Sequence, residues 1–347
     1  DSGFIIFIWG VDIGAALAAF SCGYVGQTYG WGYGFGMAGV AMCIGLASFV
    51  LGRRFLDRAD IVPARQGGAM GMPAVLLLAC LLLSWALMQS AEIVGVVVAA
   101  TIVSGFGWTV YLGFTRLDPV ERDRLWCALI IWSIWACYAA LIEQTGSSLN
   151  LFTQRLVRLD IFGGFGLQAS QLQGVTTFAV LVFSPFFAWA WSALDRRGLN
   201  PRTELKLSSA IMALAAGFAL LGLGTAFPDG SGKVSLGWLL LNYLCFAVAA
   251  IIVQPIGLSA FTRLTAKPIV GFMVGMWMLA VAVGSYAAAQ IAKFSALDVK
   301  AGAVMPAAAL LAHYQKFFAA LAVSALALGL VFFALTPLMR RWMHGMR

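Results

Sequence analysis

Two carboxylates stand inside apolar stretches: Asp12 in IWGVDIGAAL, and Glu143 at the head of EQTGSSLNLF, which follows an apolar run beginning near Leu125. Held at mid-membrane depth, a carboxylate costs roughly 2.5 to 3.5 kcal/mol even on the lenient insertion scale, so each must face a cavity or a partner. There it can carry a proton, hold a cationic solute, or pair with a cation on another helix. The remaining twelve of the fourteen acidic residues fall in loops or at span ends, Glu92 among them in a hairpin turn.

The elements that must position these groups are set by composition. Of 347 residues 62% are hydrophobic and 10% charged, with a mean hydropathy of +0.91, the balance of an integral membrane protein. Apolar runs long enough to cross ~30 Å of hydrocarbon predict ten helices. They lie at roughly 4 to 26, 34 to 52, 72 to 90, 93 to 113, 125 to 146, 172 to 194, 207 to 227, 236 to 261, 268 to 292 and 315 to 339. Short period-2 strands with aromatic girdles are absent, which excludes a β-barrel and predicts an all-α, polytopic helical membrane protein.

Of the 22 Lys and Arg residues, sixteen fall in one alternate set of loops: Arg53, Arg54, Arg58, Arg65, Arg116, Arg122, Arg124, Arg196, Arg197, Arg202, Lys206, Arg263, Lys267, Arg340, Arg341 and Arg347. The opposite set holds Arg155, Arg158, Lys233, Lys293, Lys300 and Lys316. Basic residues near span ends are retained on the cytoplasmic side, so the first set and both ends of this chain are expected there. The net charge of +8 is thus mostly topology, and no basic patch interleaved with aromatics supports nucleic-acid binding. The chain opens on Asp1 with neither Met nor a signal peptide and is expected to be a piece of something longer. Its six cysteines lie within spans without a CxxC pair, and His313 and His344 sit at span edges without a second ligand, so no metal site is expected.

Helical periodicity assigns faces to the two acids. Gly10, Gly14 and Ala18 form a small-residue stripe suited to close helix contact, with Asp12 roughly 200° around from Gly10, on one face with Trp9 and Ala16. Ala136, Ala139, Ala140 and Gly146 sit within a turn or two of Glu143 and are expected to clear space around it. The plainer reading of each acid is a buried carboxyl that only pairs with another helix.

Three strings carry a family resemblance. Residues 1–56, from DSGFIIFIWGVDIGAALAAF to GRRFL, resemble the fifth and sixth helices of the proton-coupled oligopeptide transporter family, a branch of the major facilitator superfamily. IEQTGSSLNLF resembles the end of that family's seventh helix, and QPIGLSAFTRLTAKP with VGMWML its tenth and eleventh. The resemblance implies the last ten helices of a fourteen-helix carrier: two closing an N-terminal bundle over 1–55, a linker with an inserted helix pair over 56–121, and a six-helix C-terminal bundle over 122–347. It implies a proton gradient as driving force, no cofactor, a bacterial inner-membrane location, and a small peptide or peptide-like solute as partner. The first four helices are expected from the same longer chain.

Carried over by position, Glu143 matches a glutamate of proton coupling, Trp277 an aromatic of the binding pocket, and Asp12 a neutral, peptide-contacting Asn. Trp9, beside Asp12, joins the expected solute-binding set. The family's tenth-helix glutamate, which binds the peptide's amino terminus, is here Ala250, with Gln254 one turn later able to hydrogen-bond but not to supply charge. The eighth-helix QSxNP pattern reads QGVTT, with Gln173 kept and Thr176 in place of Asn, and a seventh-helix Trp is Ala139. Two function classes follow: a proton-coupled symporter working by alternating access, or a non-transporting membrane protein that keeps the scaffold for assembly or sensing. A membrane enzyme has no GxSxG, HExxH or Ser/His/Asp grouping within the spans to support it.

Overall fold

The structure, a computed structural model, describes residues 2–56, 71–161, 165–166, 168–295 and 306–345. Its helices are α1 (Ser2–Tyr29), α2 (Trp31–Leu56), α3 (Gly71–Met88), α4 (Ala91–Thr115), α5 (Pro119–Ile142), α6 (Ser148–Leu156), α7 (Ala169–Arg196), α8 (Thr203–Gly224), α9 (Leu236–Ile252), α10 (Leu258–Leu264), α11 (Val270–Ser295) and α12 (Ala307–Trp342). Among the described residues, eight helical stretches are long and apolar enough to cross a membrane, and a shorter apolar helix covers Val75–Leu87. Two of the eight are broken rods. Pro119–Leu156 joins α5 to α6 through a 3-10 turn at Glu143–Thr145, and Leu236–Leu264 joins α9 to α10 through a π turn at Val253–Gly257. Helix α12 starts at Ala307 rather than near 315, so His313 lies inside it.

Lipid supplies no hydrophobic force between helices, so close approach depends on small residues. In the α1–α2 hairpin Gly30 takes a φ of +110° that other residues avoid, and a Cβ at Gly34 would lie 2.8 Å from the Cys22 carbonyl. Helix α8 is buried along most of its length and packs against α9 and α12. Gly217 there faces Asn242 and Phe246, and Gly329 of α12 faces Met212. The aromatic centre of this group is Phe152, Phe218, Tyr314 and Phe318, all fully buried. Helix α4 lies on α11, where Gly105 meets Met276, and on α5, where Phe106 meets Trp132 edge-on at 4.9 Å. Helix α3 pairs with α4.

Two expected faces are corrected. Gly10 and Gly14 meet nothing within 4 Å among the described residues; the contact seam of α1 runs instead through Ala16, Ala19 and Gly23, against Gly174 and Ser170 of α7. Asp12 is in line with that seam, four residues before Ala16. Two small-residue stripes were available on α1, and the one that carries the charge is the one turned to α7. Likewise Ala136, Ala139 and Ala140 do not clear space for Glu143. They receive Gly284 of α11, where an added Cβ would lie 2.8 Å from the Ala136 carbonyl oxygen, so the small residues serve the α5–α11 crossing.

Four two-residue strands occupy the loops: β1 (Val157–Arg158) pairs in parallel with β4 (Val234–Ser235), and β2 (Asp160–Ile161) pairs antiparallel with β3 (Phe165–Gly166). Beside β1, Arg158 and Asp229 form an ion pair at 3.4 Å. At the opposite ends of the helices, His344 beyond α12 pairs with Asp123 of α5 at 2.9 Å, so this histidine is tied to the neighbouring helix rather than idle at a span edge.

Candidate solute-binding site

Where α1, α5, α7 and α9 converge, they line an open cavity of about 170 Å³. Asp12 enters it from α1 because the Ala16–Ala19–Gly23 seam brings that helix against α7, and the Gln171 side chain donates to the Phe20 carbonyl at 3.4 Å to fix the crossing. Gln173, Thr176 and Thr177 line the α7 side. The Thr176 hydroxyl oxygen is buried without a protein partner, leaving a polar group for an occupant to satisfy.

Gln254 reaches the cavity because the α9 ladder widens at the π turn. Pro255 has no N–H to return to the preceding turn, so the helix gains a residue and turns Gln254 toward the hollow. Ala250 lines the same wall one turn earlier and is 4% exposed. Asp12 is thus the one carboxylate among the lining residues, facing amides and hydroxyls from three other helical segments. Such a set can hold an ammonium group by charge while giving hydrogen bonds to peptide-like donors and acceptors.

Trp277 does not line this cavity: it is 3% exposed, sits over Gly257 of the π turn and stacks on Trp135 with ring centroids 4.8 Å apart and planes 8° apart. Trp135 in turn stacks on Tyr138 at 5.2 Å and 10°, and Tyr138 does line the cavity and interacts with the Gln254 side chain. Trp277 therefore stands two rings behind the wall. The aromatic at the wall is Tyr138, a residue sequence reading passed over; its helical register with Ile142 and Thr145, which also line the hollow, was the available signal. Trp9 is described for its backbone only, within α1, and its side chain lies outside the described residues.

Glu143 is exposed in the 3-10 turn and is not among the lining residues, although Ile142 and Thr145 on either side of it are. Its neighbour Gln144 explains the orientation. Fully buried, Gln144 donates to the carbonyls of Ala140 and Ala288, both at 3.2 Å, and accepts from Ser148. That clamp holds the helix break against α11 and turns Glu143 to the other side, where its charge still acts on the Tyr138 hydroxyl.

Fold and cavity together define a polytopic helical membrane protein of the major facilitator fold. The sequence profile of the POT family matches residues 1–307, and the chain belongs to that family. Among its relatives is the peptide transporter YePEPT of Yersinia enterocolitica, 27% identical over 318 residues, covering 84% of this chain. YclF of Bacillus subtilis, an uncharacterized transporter, is 28% identical over 357 residues, which covers 99% of this chain and 68% of YclF. Dipeptide and tripeptide permease A of Erwinia pyrifoliae is 25% identical over 305 residues, covering 86% of this chain and 60% of the permease. The match spans 61% of the length of YePEPT. A crystal structure of a peptide transporter POT in complex with sulfate superimposes with a TM-score of 0.80 at 24% identity, covering 99% of this chain and 69% of that one, a likeness of fold.

Proposed function

We propose that the protein containing this chain is a proton-coupled symporter for di- or tripeptides or a related peptide-like solute, working by alternating access and leaving its solute chemically unchanged. The observation that carries this reading is the shared cavity: Asp12 of α1 faces Gln173 and Thr176 of α7 and Gln254 beyond α9, so one small hollow joins a charge and several hydrogen-bonding groups from separate helices. Membership of the POT family and the likeness to the peptide transporter YePEPT and to dipeptide and tripeptide permease A support it. In this reading α1 and α2 belong to one bundle, α3 and α4 to an inserted pair, and α5 to α12 to the second bundle. The bacterial relatives and the skew of Lys and Arg support a cytoplasmic-membrane location with both ends of this chain inside.

Asp12 serves as the anionic anchor for a solute amino group, the position of the charge having moved from Ala250 on the far wall to α1. Glu143 is the proton-coupling group, with Trp277 acting behind the wall through Trp135 and Tyr138. The test is uptake of a labelled dipeptide into proteoliposomes holding the full-length protein. An inward proton gradient should drive accumulation above the outside concentration, and a protonophore should collapse it; gradient-independent equilibration alone would contradict coupling.

A further inference from the structure

The row of three rings behind the cavity wall begins and ends on the π turn. Trp277 lies against Gly257, where an added Cβ would sit 3.0 Å from the indole; Trp135 stacks on Trp277, and Tyr138 on Trp135, with planes 8° and 10° apart. The Tyr138 hydroxyl then engages the side chain of Gln254, in the same turn as Gly257. Trp132 fixes the row along α5 by donating its indole N–H to the carbonyl of Met276, beside Trp277. Tyr138, 2% exposed, is thus held from behind, whereas Gln254 is exposed to the hollow. Without the contact to Tyr138, its amide would be free to turn either its oxygen or its nitrogen to a solute.

Charge decides which end is committed. Glu143, five residues beyond Tyr138, acts on the hydroxyl and draws its proton to that side. The phenol oxygen then accepts from the Gln254 amide nitrogen, and the amide oxygen is left to face the cavity. We propose, resting on the transporter reading above, that Tyr138 is a specificity-determining residue: it holds Gln254 with its oxygen toward the solute, so that the cavity selects a solute carrying a secondary-amide N–H, the donor of a peptide bond, beside the amino group met by Asp12. An ester in place of that amide sets oxygen against oxygen with no proton between them.

The test is competition against uptake of labelled dialanine by the full-length protein in proteoliposomes, with unlabelled dialanine and its ester isostere, alanyl-lactate, as competitors. The wild type should bind the amide about tenfold tighter than the ester, the worth of one hydrogen bond replaced by opposed oxygens. Tyr138→Phe keeps the ring stack and lets Gln254 turn its nitrogen to the ester, so the preference should fall to near unity with affinity for the ester rising. A merely structural role would weaken both ligands together. In a Gln254→Leu background, Tyr138→Phe should change the preference no further. Should Tyr138→Phe fail to fold, Trp135→Phe, which loosens the row and leaves the hydroxyl, should narrow the preference. No saturable dialanine uptake by the wild type would overturn the transporter reading and this proposal with it. Equal competition by both ligands in the wild type, an undiminished preference in Tyr138→Phe, or parallel losses for both ligands would overturn the proposal and leave that reading standing.

Discussion

Adjacent residues of one sequence stretch take opposite parts. In EQTG, Gln144 is swallowed by the α5–α11 contact and Glu143 is left outside it, because an amide can satisfy two helix carbonyls in a buried site and a carboxylate cannot. If Glu143 carries the proton, Glu143→Gln should abolish gradient-driven net uptake while sparing counterflow exchange, which needs no net proton movement. Equal loss of both would mark a structural or solute-binding role. At this scale much was legible: Asp12, Gln173, Thr176, Ala250 and Gln254 were singled out on sequence and share one cavity. Tyr138 was passed over although its register with Ile142 and Thr145 marked it; the retreat of Trp277 left no such mark, since a stack of three rings from two helices depends on the α5–α11 crossing.

Eight of the ten expected spans meet the length and apolarity of a membrane crossing among the described residues, while Val75–Leu87 is shorter; the faces of the helices were only half readable. Small residues mark a close approach without saying which helix approaches, and on α1 the two candidate stripes differ only in which of them the charge accompanies. The α5–α11 crossing gives a direct check. Gly284→Ala places a Cβ against Ala139 and the Ala136 carbonyl and should cost about 1 to 3 kcal/mol, read as a lower unfolding midpoint. Adding Ala139→Gly should restore only part of it, because the Ala136 carbonyl and the Ala140 nitrogen remain in place. A wild-type midpoint in Gly284→Ala would refute the packing. The β1–β4 loop region offers a pH test. Hydrogen bonds from the Ser231 hydroxyl and the Lys233 and Ser231 amides, with Arg158 adding to them, hold the Asp229 carboxyl below its usual 3.8. A carboxyl with a depressed folded-state value stabilises above its unfolded value and loses that contribution as pH falls through the folded one. Amide exchange of Ser231 and Lys233, corrected for intrinsic rate, should therefore be slow at neutral pH and speed up below pH 3.8; Asp229→Ala, which removes the acceptor, should lose the protection at every pH.

Across the whole molecule the candidate cavity is a joint construction, with its carboxylate on α1 and its hydrogen-bonding groups on α5, α7 and the α9–α10 break. Alternating access needs such a division, because a site shared between moving parts can be opened to one side and then the other. The chain's order of spans and its family resemblance suggested this layout, whereas the two helix breaks and the particular meeting of α1 with α7 emerged only from the fold. The most direct measurement of the account is a charge-swap series in the full-length protein: Asp12→Asn, Ala250→Glu, and both together, assayed with a dipeptide and its N-acetylated form. Asp12→Asn should cut uptake of the free-amine peptide about ten- to a hundredfold, the worth of one charge-assisted contact in a closed site. It should leave little preference over the acetylated form, and Ala250→Glu in that background should restore both uptake and preference. No rescue by Ala250→Glu, with Asp12→Asn instead recovered by neutralising a cationic residue elsewhere, would contradict the account and leave Asp12 as half of a structural ion pair.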